Sequence, residues 1–307
     1  MMKRLSLATA LTALMALPAV AQDRVSIGTG GTGGVFYAVG AGMADLLSRQ
    51  VDGVSANAEV TGASVENIRR VSAGEMTMGF SSASTLYEAK NGQGVFDGDA
   101  QNVAAIAYLY PAVLQIAATQ ESGAASVADL ADLDISIGPP GSNSSVFAER
   151  LLNAQDAFNM GNVSFLSYGE ATGAIKNGQL DGSIILAGTP AAAFIELFTT
   201  ENVTLIPVEA DNVTGLLEEY PFYEMVEIAA GTYEGQEGDV TAVGDPAILF
   251  TAADADPALV EKITAGLFDN LEALGKVHPA AAKITMEKAG DAPIDLHPGA
   301  QAYFDAK

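Results

Sequence analysis

The chain has 307 residues, 49% of them hydrophobic, with 14 Lys and Arg against 38 Asp and Glu and a formal net charge of -24 at pH 7. Such a field repels nucleic acid and anionic lipid surfaces, both of which need basic patches on a partner. The acidic residues are scattered among apolar ones, so a packed globular chain is expected, not an acidic disordered tail, and the length accommodates two domains.

The first element reads as a leader. Lys3 and Arg4 precede an apolar run from Leu5 to Leu17, and Ala19-Val20-Ala21 forms an A-x-A cleavage site, the pattern of a secretory signal cleaved after Ala21. The run is too short for a membrane span, and the polar Gln22-Asp23-Arg24 follows at once. The chain that remains has 12 basic against 38 acidic residues, a net of -26. Without any cysteine it has neither a lipid-bearing thiol nor a disulfide framework, so a freely diffusing exported protein is expected.

Short β-type runs then alternate with helical patterns: Val25 to Gly28 before Val35 to Ser48, Val54 to Val60 before Ser64 to Gly74, and Thr77 to Phe80 before Ser84 to Lys90. That order predicts parallel strands joined by crossover helices. The run from Val103 to Ala118 is long for a strand and holds Pro111, which has no N–H for a central ladder, so the chain is expected to leave one sheet there and enter another. Alternation resumes with strands near Asp134 to Gly138, Val163 to Leu166 and Ser183 to Leu186, and helices near Asn143 to Leu152, Ala171 to Gly178 and Pro190 to Phe198. A second long run, Val240 to Ala252 with Pro246 inside it, reads as the return crossing. Asp256 is a good N-cap before Pro257, and Leu259, Ile263, Leu267, Leu271 and Leu274 mark one apolar helix face that Gly275 ends. Two crossings predict two lobes hinged about a cleft lined by the C-terminal ends of strands.

Two strand-loop-helix units share one design. Ser26-Ile27-Gly28-Thr29-Gly30-Gly31-Thr32-Gly33-Gly34-Val35-Phe36-Tyr37 returns in altered form as Ser136-Ile137-Gly138-Pro139-Pro140-Gly141-Ser142-Asn143-Ser144-Ser145-Val146-Phe147. Such loops expose backbone N–H groups at a helix N-terminus, where an anion binds favourably. Gly28-x-Gly30-x-x-Gly33 also matches a dinucleotide fingerprint, with Glu59 as its acidic residue. Export and the absence of the fingerprint from the second loop weigh against a nicotinamide enzyme, and no Gly-Lys-Ser/Thr makes a phosphate loop. Thr61-Gly62-Ala63-Ser64-Val65-Glu66-Asn67 sits between another strand and helix, where Ser64 suits a helix N-cap as well as a ligand contact.

Catalytic patterns are thin. His278 and His297 lack metal-ligand spacing, no Gly-x-Ser-x-Gly elbow is present, and Asp97-Gly98-Asp99 lacks the further ligands of a calcium loop. Of the aromatic residues Phe36, Tyr37, Tyr108, Tyr110 and Tyr168 near the loops, about half are expected to reach the cleft and the others to be core. Arginines lie away from helix starts, so an anion would rest on N–H groups and hydroxyls more than on a guanidinium fork.

With these residues the chain resembles the TAXI family of extracytoplasmic solute-binding proteins, which serve TRAP transporters. The resemblance is carried in order by residues 27–37, by Thr61-Gly62-Ala63-Ser64-Val65-Glu66-Asn67-Ile68, by Gly138-Pro139-Pro140-Gly141-Ser142, by Gly231-Thr232-Tyr233 and by Leu296-His297-Pro298-Gly299-Ala300. It implies a two-lobed periplasmic binding protein fold of the α/β class, each lobe a mixed, mostly parallel sheet flanked by helices, hinged by two crossing strands. It also implies capture of a small anionic solute such as glutamate, 2-oxoglutarate or a C4-dicarboxylate, and its delivery to the membrane permease subunits of a TRAP transporter. Ala63 stands where the family commonly has Gly, and Ser81-Ser82-Ala83-Ser84 is small and neutral where relatives often carry Gln or Asp.

The resulting expectation is a signal over residues 1–21, one lobe from residues 22–111 and 244–307, and the other from residues 112–243. Gly31, Thr32, Gly33, Phe36, Tyr37, Ser64 and Ser81 are expected to face the solute from the first lobe. Ser142, Asn143, Ser144 and Thr189 face it from the second, with Tyr110 at the crossing. No cofactor, metal or nucleic acid is expected, and a periplasmic monomer suffices. An exported α/β enzyme acting on a small acid and an exported adhesin or structural protein stand as the rival readings.

Overall fold

Two sheets divide the chain, which a computed structural model describes over residues 22–307; the expected signal segment lies outside the described residues. The first half-lobe runs β1 (Asp23–Gly28), α1 (Val35–Gln50), β2 (Val54–Glu59), α2 (Ser64–Ser72), β3 (Met78–Ser82), α3 (Ala83–Asn91) and β4 (Val103–Tyr110). The chain then enters a second unit with β5 (Val113–Thr119), β6 (Ile135–Ser136), α4 (Asn143–Ala154), β7 (Val163–Ser164), α5 (Tyr168–Lys176), β8 (Gly182–Ala187) and α6 (Ala192–Thr200). That unit ends with β9 (Val203–Leu205), α7 (Thr214–Glu219), β10 (Glu224–Ile228) and β11 (Val240–Gly244). The return brings β12 (Ala247–Ala252), α8 (Pro257–Phe268), α9 (Leu271–Gly275) and α10 (Pro298–Asp305).

One sheet has the order β2-β1-β3-β12-β4; the other has β10-β11-β5-β8-β6-β7, with β9 beside β5. Pairing is parallel where helices make the crossover, between β1 and both β2 and β3 and between β6 and both β7 and β8. It is antiparallel where the crossing strands return, at β12 against β3 and β4 and at β5 against β8. The two crossings fall at Pro111 and Pro246, where the missing N–H ends a ladder. They lie side by side, since the Asp245 N–H donates to the Ala112 carbonyl at 2.9 Å.

Burial follows from this layering. Every residue of β4 and of β8 is buried, as expected of strands covered on both faces by helices. Helix α1 seals one face of the first sheet with Val35, Val39, Met43, Leu46 and Leu47, and α8 packs onto α1 and α10. The apolar face from Leu259 to Leu274 is not one helix as expected. It breaks after Phe268, where Asp269 accepts from the Tyr303 hydroxyl at 2.8 Å and from Lys307 at 2.7 Å, and where the Asn270 amide takes up the Gly266 carbonyl at 2.9 Å. The expected strand near Asp134 to Gly138 shortens to two residues, because Gly138 has φ of 97° and two prolines follow. The helix expected from Ala171 begins earlier, at Tyr168, behind a Ser167–Glu170 capping box.

Candidate functional site

The loops that follow β1, β2, β6 and β7 meet between the lobes. They leave a narrow cavity of about 30 Å3, walled by Gly30, Gly31, Gly34, Val35, Phe36, Gly62 and Ala63 on one side and by Pro139, Ser142, Asn143, Ser167, Tyr168, Leu186 and Ala187 on the other. The lobes are thus closed on a narrow space.

On the first side, Asn67 fastens three segments together. Its Nδ2 donates to the carbonyls of Thr29 at 2.8 Å and Phe80 at 2.9 Å, and its Oδ1 accepts from the Thr61 hydroxyl at 2.7 Å. This buried side chain holds the β1 loop, the end of β3 and the β2 loop in register. Helix α1 opens at Val35 behind Gly34, which brings no side-chain cap, so the N–H groups of its first turn are unclaimed by any cap. Ala63 precedes α2 with φ of 72° and ψ of -145°, a backbone region that favours Gly, and its methyl group forms part of the wall.

On the second side, the Ser142 hydroxyl accepts from the Ser145 N–H at 3.1 Å and caps α4. The N–H groups of Asn143 and Ser144 are left over in that first turn. Asn143 is 3% exposed, and its Nδ2 has no partner among the described residues. The floor is tied to the wall by Leu186, whose N–H donates to Ser144 Oγ at 3.1 Å and whose carbonyl accepts from the Tyr168 hydroxyl at 3.0 Å. Burial pushes the Tyr168 phenol up to about 12, so it remains a donor at neutral pH. Tyr233 braces the same strand end: its hydroxyl donates to Gln115 and accepts the Ala191 N–H at 2.9 Å, while Gln115 donates to the Ala187 carbonyl at 3.1 Å.

Four helix N-termini thus reach the cavity, and they are not alike. Helix α2 carries Glu66 in its first turn, with the carboxylate on the Gly62 N–H at 2.7 Å; α5 carries Glu170, with the carboxylate on the Ser167 N–H at 2.9 Å. Helices α1 and α4 have no acidic residue in the first turn. The two uncompensated ends belong to the paired loops of the sequence, and no charged side chain lines the cavity.

The lobes touch directly around it. The Ala193 N–H donates to the Gly33 carbonyl at 3.2 Å, and a Cβ on Gly34 would stand 3.3 Å from the Tyr168 ring. Farther along the seam, Arg150 of α4 pairs with Glu88 of α3, donates to the Tyr223 hydroxyl at 2.9 Å and lies 4.3 Å over the Tyr220 ring. Tyr223 in turn donates to Ser84 Oγ, at 3.4 Å, and Ser84 donates from both N–H and hydroxyl to the Asp245 carboxylate at 3.1 and 2.5 Å. Burial pushes Asp245 up to about 6 despite those donors. Two wider grooves, about 730 and 450 Å3, flank Arg150, but Glu149, Glu218 and Glu219 line them and disfavour an anion.

Of the residues expected to face a solute, Gly31, Phe36, Ser142 and Asn143 line the cavity. Gly33 is spent on the lobe contact, 3.2 Å from the Ala193 methyl if given a Cβ. Thr32 is exposed, because the loop turns its Gly34 end to the cavity, and Tyr37 is half-buried outside the wall. Ser64 and Ser81 are fully buried; Ser64 Oγ accepts the Ser82 N–H at 3.0 Å and Ser81 donates to the Ser82 carbonyl at 2.9 Å, so both hydroxyls serve the strand end. Ser144 supports Leu186 as described, and Thr189 is half-buried beyond the wall. Tyr110 is completely buried behind Val35 and Gly188; its hydroxyl has no partner among the described residues, and burial raises its pKa. Ser167, Leu186 and Ala187 were not expected in the wall, although Ser167-x-x-Glu170 is a legible capping box. Among the described residues no cluster of His, Cys, Asp and Glu is arranged to hold a metal, and no helix is long and apolar enough to cross a membrane.

The family model described as the NMT1-like family matches residues 27–307. Among solved structures, the periplasmic binding protein BugD superposes with a TM-score of 0.57 at 12% identity, over 92% of this chain and 93% of that one. PhnD1 from Prochlorococcus marinus (MIT 9301), in complex with methylphosphonate, does so with 0.56 at 10% identity, over 85% and 91%. The alkanesulfonate-binding protein SsuA from Xanthomonas axonopodis pv. citri, bound to MOPS, gives 0.50 at 16% identity, over 87% and 85%. At such identities the likeness speaks for the fold, which is that of two-lobed periplasmic binding proteins.

Proposed function

Because the chain belongs to the NMT1-like family, we propose that it is an exported receptor that binds a small carboxylate in the periplasm and presents it, unchanged, to a membrane permease. One observation carries this reading. Of the four helix N-termini at the cavity, α2 and α5 are occupied by the protein's own Glu66 and Glu170, whereas α1 and α4, one from each side, have no acidic residue in the first turn, and the Asn143 amide at the start of α4 has no partner among the described residues. Each open end presents roughly half a positive charge and unclaimed N–H groups, which favour an anion. Because one end belongs to each lobe, an anion between them favours the closed arrangement over any open one, and closure is what a permease can read. Removing the carboxylate from the solute leaves those donors unsatisfied, which costs about 1 to 3 kcal/mol per lost bond.

The ordered motifs from residue 27 to Ala300 support the narrower reading, a TAXI-type receptor delivering to the permease subunits of a TRAP transporter. Glutamate, 2-oxoglutarate and C4-dicarboxylates are the solutes that resemblance puts first. A thermal-shift screen of carboxylates, amino acids and neutral analogues tests the receptor reading: a ligand at 100 times its Kd stabilises by about 2.7 kcal/mol. Turnover of the stabilising acid would point to an enzyme, and no stabilisation by any small molecule to an adhesin or structural protein. Uptake in vesicles holding the cognate permease, driven by an ion gradient without ATP, tests the TRAP assignment.

A further inference from the structure

The number of charges the cavity accepts follows from how its helix ends are neutralised, and this step rests on the receptor reading above. Two open helix N-termini together offer about one positive charge, half from each end. No Lys, Arg or His lines the cavity to receive a second carboxylate. The carboxylates nearest the rim, Glu66 on the Gly62 N–H and Glu170 on the Ser167 N–H, repel one. The remaining wall is apolar: Val35, Phe36, Ala63, Pro139, Leu186 and Ala187. A second charge buried there without a partner is strongly unfavourable, whereas a short hydrocarbon tail is favoured.

Size narrows the solute further. At about 30 Å3 the cavity is narrow, with room for only a compact solute. Part of that restriction is the Ala63 methyl group, kept in the wall although its φ of 72° is a strained conformation for any residue but Gly. We infer that the cavity takes a monocarboxylate with a short apolar tail, of the order of acetate to butyrate, its carboxylate held by the first-turn N–H groups of α1 and α4 and by the Asn143 amide. A dicarboxylate is disfavoured for want of a second cationic seat.

The test is a calorimetric and thermal-shift titration of the exported chain at constant ionic strength with propionate, succinate, 2-oxoglutarate, glutamate and propionamide. Propionate is expected to bind at least tenfold more tightly than any of the dianions, glutamate or the neutral amide. Tighter binding of succinate, 2-oxoglutarate or glutamate would overturn the monocarboxylate assignment and leave the receptor reading standing. Binding of propionamide equal to that of propionate would remove the anion seat, and binding of no acid at all would sink both readings. Asn143→Asp places a carboxylate on the α4 N-terminus as Glu66 and Glu170 do on theirs, a substitution favourable to the helix. It is expected to weaken propionate at least tenfold without lowering the Tm of the ligand-free protein; undiminished affinity contradicts the assignment. Ala63→Gly is expected to shift preference toward hexanoate by at least fivefold, and an unchanged chain-length preference would refute the role given to that methyl group.

Discussion

Replacing Arg150 by Met separates a contact that holds the lobes shut from one that holds a lobe together. The Arg150–Glu88 pair joins α4 of one lobe to α3 of the other, with side chains 16% and 7% exposed, and Glu88 Oε2 already has no partner among the described residues. Removing the guanidinium strands a buried carboxylate, which costs about 3 to 5 kcal/mol when it stays buried. Opening the lobes returns Glu88 to water, so the strain is released through the closing equilibrium and not through unfolding. If 3 kcal/mol falls on closure, the affinity for the stabilising carboxylate drops by roughly 150-fold. Isothermal titration reads that loss, and small-angle scattering of the ligand-free variant is expected to show a larger radius of gyration than the wild type. Pairing Arg150→Met with Glu88→Leu removes both charges and is expected to restore most of the affinity, as apolar replacement of buried pairs often does. A variant that binds normally and has lost only melting temperature would refute this account, because the pair would then serve the fold alone.

Other consequences are equally direct. Gly33→Val puts a branched side chain 3.2 Å from the Ala193 methyl and 3.4 Å from Tyr168 Cβ; affinity should fall at least tenfold with urea stability within about 0.5 kcal/mol of wild type, and normal affinity would mean that the lobes need not approach here. The Asp245 carboxyl, pushed by burial up to about 6 from its ordinary 3.8, keeps its proton in the folded state over a range where the unfolded chain has released it. Its favourable contribution is therefore complete below about pH 4 and lost as pH rises through 6, so Asp245→Asn should gain on the wild type between those limits. Urea titrations at a series of pH values check this, and parallel profiles for the two proteins would contradict it. The net charge of -26 on the chain after residue 21 opposes an approaching anion, so stopped-flow association should accelerate with added salt; a decrease would mean that the field at the cleft is not negative.

Alternation of strand and helix, the ladder-breaking Pro111 and Pro246 and the paired loops made the two-lobed plan legible before any coordinates. Those are local signals, each set by what one backbone position can do. The cavity wall was less legible because a hydroxyl's direction is a tertiary property. Ser64 and Ser81 sit in the right loops, yet the neighbouring Ser82 backbone claims both. Leu186 and Ala187 come from the fully buried strand β8 of the second sheet, whose place opposite α1 depends on lobe closure. The Ser167–Glu170 capping box and the acidic Glu66 in the first turn of α2 could have been read as filled helix ends, which would have singled out α1 and α4 as the open pair.

The claim that α1 and α4 form one anion seat is tested most directly by nitrogen-15 NMR titration with propionate. The account predicts that the backbone amides of Val35, Phe36, Asn143 and Ser144 and the Asn143 side-chain amide shift together, with one saturation curve, and that the Gly62 and Ser167 amides held by Glu66 and Glu170 move least. Saturating shifts confined to one lobe, or centred on the grooves beside Arg150, would contradict it.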